Sequence, residues 1–256
     1  MKKILFWLVL IVGIVVLIGS CKKDEESTTA TPTSCGGDST KTIASSCSDT
    51  ASGSITGIDN ASLSGTFSTF HLYGIAGGYS VNNSTDCIDN STIIASWANT
   101  LGYPTGAASA IVNSFVTSSS TFAERFKFYS DSGCSTELAS VVFGYDDLSN
   151  GGRASELDTS EGPSTASKLT YNLSCAKFKG STAAGVTWIK TMLNGTDPTV
   201  GTEYTCDVGT NARYALMFVD NYSGGALAYG NIITFEESET AVPSNWDDPD
   251  TYYTLP

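Results

Sequence analysis

From about residue 55 to the end, the chain is written in short apolar runs rich in β-branched and aromatic residues, cut by Gly, Asn, Asp and Ser. The pattern predicts strands near 62–70, 72–80, 91–97, 109–118, 121–130, 137–145, 167–175, 184–193, 201–206, 213–220 and 226–235. Turn signals such as Asn82-Asn83, Asp131-Ser132-Gly133, Asn150-Gly151-Gly152, Asn194-Gly195 and Ser223-Gly224-Gly225 separate many of them. Leu169, Tyr171, Leu173 and Cys175 alternate with Lys168, Thr170, Asn172 and Ser174, as a half-buried strand requires. Phe122, Phe126 and Phe128 share a face, with Arg125 and Lys127 opposite, and Glu124 interrupts the apolar side. The stretches 91–101 and 106–116 fit a helical turn or two as well as a strand, and no long amphipathic helix stands out. Many short strands at close spacing predict an all-β domain, either an antiparallel barrel or a β-sandwich. With no fixed-period repeat, residues 55–256 read as a single domain.

The chain begins differently. Lys2 and Lys3 precede a nearly unbroken apolar run from Ile4 to Ile18, and Gly19-Ser20 lead into Cys21. Charge, apolar stretch and small residues in that order make residues 1–20 a secretory signal peptide. A helix of about 16 such residues is about 24 Å long, short of the ~30 Å hydrocarbon core. Residues 21–54 are poor in apolar side chains and read as a flexible tether. A coil of that length places the domain some 30 Å from its anchor.

The segment Ile18-Gly19-Ser20-Cys21 resembles the lipobox of bacterial lipoproteins. That resemblance implies cleavage before Cys21, a diacylglyceryl group on its sulfur, and anchoring in a membrane by acyl chains. Lys22 stands where an Asp would retain the protein at the inner membrane, so the resemblance points to the outer membrane.

Export changes the charge and the cysteines. Without Lys2 and Lys3 the 13 basic residues fall to 11 against 26 acidic ones, a net charge near −15. Such a chain does not suit nucleic acid, which is gripped through phosphate neutralisation; the charge keeps an exported domain dispersed. Six cysteines remain after Cys21, namely Cys35, Cys47, Cys87, Cys134, Cys175 and Cys206. An even number in an exported chain predicts disulfides. Pairing of sequence neighbours gives Cys35–Cys47, Cys87–Cys134 and Cys175–Cys206.

A second resemblance covers about a fifth of the mature chain. Phe128-Tyr129-Ser130-Asp131-Ser132-Gly133-Cys134 is similar to a motif of bacterial lipoproteins with a lipocalin-like domain: an aromatic strand ending in Tyr-x-Asp-x-x-Cys. Gly65-Thr66-Phe67, Ala228-Tyr229-Gly230 and Tyr252-Tyr253 match the opening and closing strands of such chains. Phe67 replaces the usual Trp, and the stretch 71–120 is long. The resemblance implies an antiparallel barrel with room for a small apolar ligand. Phe122, Phe126, Phe128 and Trp188 are the candidates to line it.

No catalytic constellation accompanies this pattern. His71 is the only histidine, and no serine sits in a G-x-S-x-G elbow. A zinc site built on several histidines is therefore excluded. Asp146-Asp147 and Asp247-Asp248-Pro249-Asp250 lack the spacing of a calcium loop, and Gly74-Ile75-Ala76-Gly77-Gly78 does not open a helix as a phosphate loop would. The sequence thus predicts a non-enzymatic binding or interaction module with no metal or cofactor. Its partners would be the membrane, through Cys21, and either a small apolar ligand or an envelope protein. Two alternatives remain: a surface-display protein contacting protein or glycan, and a hydrolase built on a carboxylate pair.

Overall fold

The chain folds by alternation. In the computed structural model, which describes residues 47–56, 62–72, 79–80, 86–100, 102–160, 162–193, 197–221, 231–246 and 250–254, strands dominate and only two short helices occur among the described residues. β1 (Ser54–Thr56) and β2 (Ser62–Ser64) form a small antiparallel pair. The main sheet contains β3 (Thr66–Leu72), β4 (Tyr79–Ser80), β5 (Ser109–Val116), β6 (Phe122–Tyr129), β7 (Glu137–Ser155), β8 (Thr165–Gly180), β9 (Glu203–Asn221), β10 (Asn231–Ser238) and β11 (Asp250–Thr254). From β5 to β11 each strand pairs antiparallel with the next, and β11 pairs back onto β3, which also pairs with β5. The pairing closes a ring of eight strands, with β4 added outside it on β3. Of the two architectures that the sequence allows, this is the barrel, which leaves no open edge in the ring.

The register carries the apolar pattern around the ring. Phe126 lies opposite Val141, and Val141 opposite Phe178; one position along, Arg125, Val142 and Lys177 form a row on the other face. Phe67, Phe128, Tyr145, Leu169, Leu173 and Phe178 are fully buried. Each contributes about 1.5–3 kcal/mol of apolar burial.

The segment 184–193, which reads as a strand, is a helix, and 91–101, which fits either element, is helical too. α1 (Ser91–Thr100) starts at Asn90, whose side-chain oxygen accepts the backbone N–H groups of Thr92 and Ile93 at 3.0 and 3.3 Å. α2 (Ala183–Met192) is capped by Thr182, which accepts from the Gly185 N–H at 3.1 Å. Gly185, Trp188, Ile189 and Met192 form its buried stripe. The β-branched residues Val186, Thr187 and Ile189 suggest a strand over 184–193, but tertiary packing overrides that preference. A Cβ on Gly185 would lie 2.0 Å from the Leu138 carbonyl oxygen, so the glycine is what lets α2 rest on β7.

Other expectations also shift. Asn150-Gly151-Gly152 is a bulge inside β7 rather than a turn: Gly152 has a φ of 90°, and the register against β8 slips between Asn150 and Arg153. Segments 201–206 and 213–220 belong to one continuous strand, β9. The far end of the expected tether is fixed to the barrel. There the N–H groups of Ser52 and Gly53 donate to the Val116 carbonyl at 3.0 and 3.2 Å. Cys47 is disulfide-bonded to Cys175, which corrects both the Cys35–Cys47 and the Cys175–Cys206 pairings. The register explains the second correction: β9 sets Asp207, not Cys206, opposite Cys175. The bridge Cys87–Cys134 forms as the sequence suggests. Cys21 and Cys35 lie outside the described residues, as do Asn82-Asn83, Asn194-Gly195, Ser223-Gly224-Gly225, Ala228-Tyr229-Gly230 and Gly74-Ile75-Ala76-Gly77-Gly78.

Candidate functional site

The barrel interior has three levels. One end is a packed aromatic plug. Tyr103, just after α1, meets Trp97, Phe126 and Phe128 at ring-centroid distances of 5.7, 5.8 and 4.6 Å. Trp188 of α2 packs edge-on against Phe128 at 5.6 Å and donates its indole N–H to the Gly102 carbonyl at 2.7 Å. Phe126, Phe128 and Trp188, the sequence candidates to line a ligand site, are buried in this aromatic cluster. Phe126 and Phe128 face inward as the alternation of β6 requires, and α1 and α2 pack around them, with Trp188 on the buried stripe of α2.

At the other end a cavity of about 40 Å³ remains. That is room for a few water-sized groups; pockets that take a drug-sized molecule are about an order of magnitude larger. Ile55 and Leu63 of the β1–β2 pair lie over it, with Phe67, Phe122, Leu148, Leu169, Met217, Ile233 and Phe235 among its walls. Phe122, one of the sequence candidates, is among these walls. Among the described residues of this wall, Glu124 is the only ionisable one.

Between cavity and plug sits a polar layer. Glu124 points inward because β6 alternates Phe122, Glu124, Phe126 and Phe128 on its inner face. It accepts a hydrogen bond from the Tyr145 hydroxyl at 3.2 Å and another from the Ser114 hydroxyl at 3.5 Å. Tyr171 donates to Glu237 at 2.8 Å. Arg213 approaches Glu237 at 3.8 Å through Nε and Glu239 at 3.0 Å through Nη2. Burial pushes the Glu237 carboxyl up to about 8, the nearby Glu124 charge adds to the rise, and the Arg213 guanidinium opposes it. Burial, followed by the Glu124 charge, holds the Tyr145 hydroxyl protonated well beyond its ordinary range; burial and the Glu237 charge do the same for Tyr171. Both tyrosines are therefore donors throughout the physiological range. Phe122 stacks on Tyr145 at 4.6 Å and meets Tyr171 at 5.0 Å, joining the cavity wall to this layer.

Alternation along 168–175 already places Tyr171 inside. Glu237 is harder to find: it lies in Glu236-Glu237-Ser238-Glu239, which reads as a solvated acidic run. The signal is the period of two from Ile233 through Phe235 to Glu237.

The resembling motifs have structural roles. The Asp131 carboxylate accepts the backbone N–H groups of Gly133, Ser135 and Thr136 at 2.9, 3.2 and 2.6 Å, and these bonds hold its pKa at about 2. Cys134 follows with a φ of 52° and bridges to Cys87. Gly65, with a φ of 94°, turns the chain into β3, and Tyr252 and Tyr253 belong to β11, which closes the ring. His71 is placed in β3, paired in register with Ser80 and Thr251.

Fold and site together define an antiparallel β-barrel, cross-linked by disulfides, plugged at one end and holding a small acid-lined cavity at the other. No protein-family model matches the sequence, and no curated protein matches it.

Proposed function

We propose that this chain is an exported bacterial lipoprotein, cut before Cys21, lipidated there and held in the outer membrane. On this reading its lipocalin-like barrel is a non-enzymatic binding module whose open end takes a small group. The leader pattern and the lipobox-like Ile18-Gly19-Ser20-Cys21 support the address. The observation that carries the binding role is Glu124, a carboxylate in a cavity wall whose other described residues are apolar apart from Ser114, hydrogen-bonded by Tyr145 and Ser114. Such a wall favours a cationic or N–H-donating tip on an apolar stem.

The cavity size favours the end of a ligand, or a side chain of an envelope protein, over a whole lipid. Two carboxylates share the interior, yet each is engaged by a tyrosine hydroxyl and Glu237 is not among the residues lining the cavity. This favours binding over hydrolysis by a carboxylate pair.

Calorimetric titration of the full chain in detergent with short n-alkylamines tests the reading. Binding is expected for the amines and not for n-alkylcarboxylates, with Glu124→Gln weakening it about tenfold. Equal binding of the carboxylates, or no binding of any amine, overturns it.

A further inference from the structure

The outer face of the barrel carries a charge arrangement that the interior site does not use. Across β6, β7 and β8, Arg125, Val142 and Lys177 share one row, and Lys127, Ser140 and Lys179 share the next. Strands two apart lie roughly 10 Å from one another, and same-face residues along a strand are about 7 Å apart. Four cations thus stand at the corners of a rectangle whose middle strand supplies only a serine and a valine. The short central side chains leave a hollow of about 110 Å³. In a chain of formal net charge −13, this concentration of positive charge is not expected from composition.

The resident carboxylates do not balance it. Asp49, Glu137 and Glu203 face the four cations. Asp49 bridges Arg125 and Lys177 at 3.4 and 3.3 Å. Burial works against the Asp49 carboxylate, but the Lys177 ammonium and the Arg125 guanidinium hold it below its usual range. The other row is poorly served. Lys127 and Lys179 share Glu137 at 3.9 and 3.7 Å, while Glu137 accepts a shorter bond, 2.5 Å, from the Ser181 hydroxyl. Among the described residues Glu203 pairs with Lys177 alone, at 3.8 Å, and is more than half exposed. Burial, then repulsion from Arg125, lowers the Lys127 pKa. Arg125 is held in place by the Phe115 ring at 4.7 Å and by the Asn113 side-chain oxygen Oδ1, which accepts from its Nη2 at 3.0 Å, and its buried Nε makes no hydrogen bond. The Ser140 hydroxyl, on the floor, has no hydrogen-bond partner among the described residues.

We infer that this hollow is a binding site for a phosphate-like oxyanion, gripped by Lys127 and Lys179 with the Ser140 hydroxyl and the Arg125 guanidinium beside them. A tetrahedral oxyanion supplies the missing negative charge and accepts from several fixed donors at once, the arrangement in which charge-assisted hydrogen bonds are strongest. Partial desolvation of the hollow keeps the attraction from being fully screened. The oxyanion comes either from a free anion or from the phosphate of a lipid headgroup.

Two probes separate those sources: inorganic phosphate and monomeric dihexanoyl phosphatidylglycerol, each titrated into the full chain in uncharged detergent at low ionic strength. Saturable binding of at least one is expected, with a dissociation constant of about 1 mM or tighter. The double variant Lys127→Gln/Lys179→Gln should weaken it at least about tenfold, whereas Lys168→Gln, outside the hollow, should not. Tighter binding of the lipid assigns the headgroup; equal binding assigns the free anion. A bound anion should also raise the thermal midpoint of the wild-type chain and not that of the double variant. Absence of saturable binding for both probes overturns the inference, as does the same loss in Lys168→Gln or retained binding in a folded double variant.

Discussion

Cys47 is bonded to Cys175 across 128 positions of chain, so the segment entering the barrel is fastened to the middle of β8. The same segment delivers Asp49 to Arg125 and Lys177, and its backbone to Val116. One covalent bond therefore fixes both the course of residues 47–53 and one carboxylate of the cationic hollow. Under the chain-entropy model a loop of that length stabilises by about 5 kcal/mol, and the shorter Cys87–Cys134 loop by about 4 kcal/mol. Urea unfolding of the Cys47→Ala/Cys175→Ala variant should show the larger loss of the two double variants. Hydrogen exchange should also rise at residues 47–53 in that variant. Non-reducing peptide mapping that joins Cys47 to Cys35 would contradict the assignment.

Glu237 makes stability depend on pH. Its folded-state pKa lies near 8 against an ordinary 4.5, so between those values the unfolded chain has released a proton that the native one retains. Folding then weakens as pH rises through that window, by up to about 1.4 kcal/mol per pH unit. Glu237→Gln keeps an acceptor for Tyr171 and should flatten the slope and stabilise the protein at pH 8. Denaturant midpoints at pH 5 and pH 8 for both proteins provide the check; a wild-type midpoint that rises with pH refutes it. Asp131 acts with the opposite sign. Its depressed pKa of about 2 stabilises the turn above the ordinary carboxyl range, and that contribution is lost as pH falls through 2.

Gly185→Ala is a sharp test of how α2 seats. Alanine is the better helix former by about 1 kcal/mol. Its Cβ, however, would sit 2.0 Å from the Leu138 carbonyl and 3.2 Å from the Ala139 side chain. The expected result is a net loss of about 2–3 kcal/mol, with reduced protection of Trp188. A thermal melt in which the variant matches or exceeds the wild type would show that α2 does not rest on β7.

Trp188→Ala separates the plug from the cavity. It removes the edge contacts to Phe128 and Phe178 and the bond to Gly102. A loss of about 3–5 kcal/mol is expected. Alkylamine affinity measured on the folded fraction should stay unchanged, because Trp188 is not among the cavity-lining residues. Lost affinity with retained fold would place the ligand at the plugged end.

The strands were legible where neighbours alternate, strictly in 168–175 and with one break, at Glu124, in 122–128. Ring closure was not, because the pairing of β11 with β3 joins residues about 180 positions apart and leaves no local mark. The helices were hidden for different reasons. α1 depends on a cap from Asn90, a residue that also signals a turn, and α2 depends on a contact with Leu138 that no local window contains. Glu124 stood out as a break in pattern, and that break marks the cavity acid. Its partner Tyr145 and the neighbouring Tyr171–Glu237 pair could be assembled only by the register of the five strands β6 to β10.

An exported, oxidised barrel on a lipid anchor is tested most directly by the intact mass of the protein taken from its native membranes without reduction. The mass expected is that of the chain cut before Cys21 plus diacylglyceryl and an amino-terminal acyl chain. It should be reduced by the hydrogens lost to at least the Cys47–Cys175 and Cys87–Cys134 bridges. A chain that still begins at Met1, carries no acyl mass and keeps those thiols free would contradict the account.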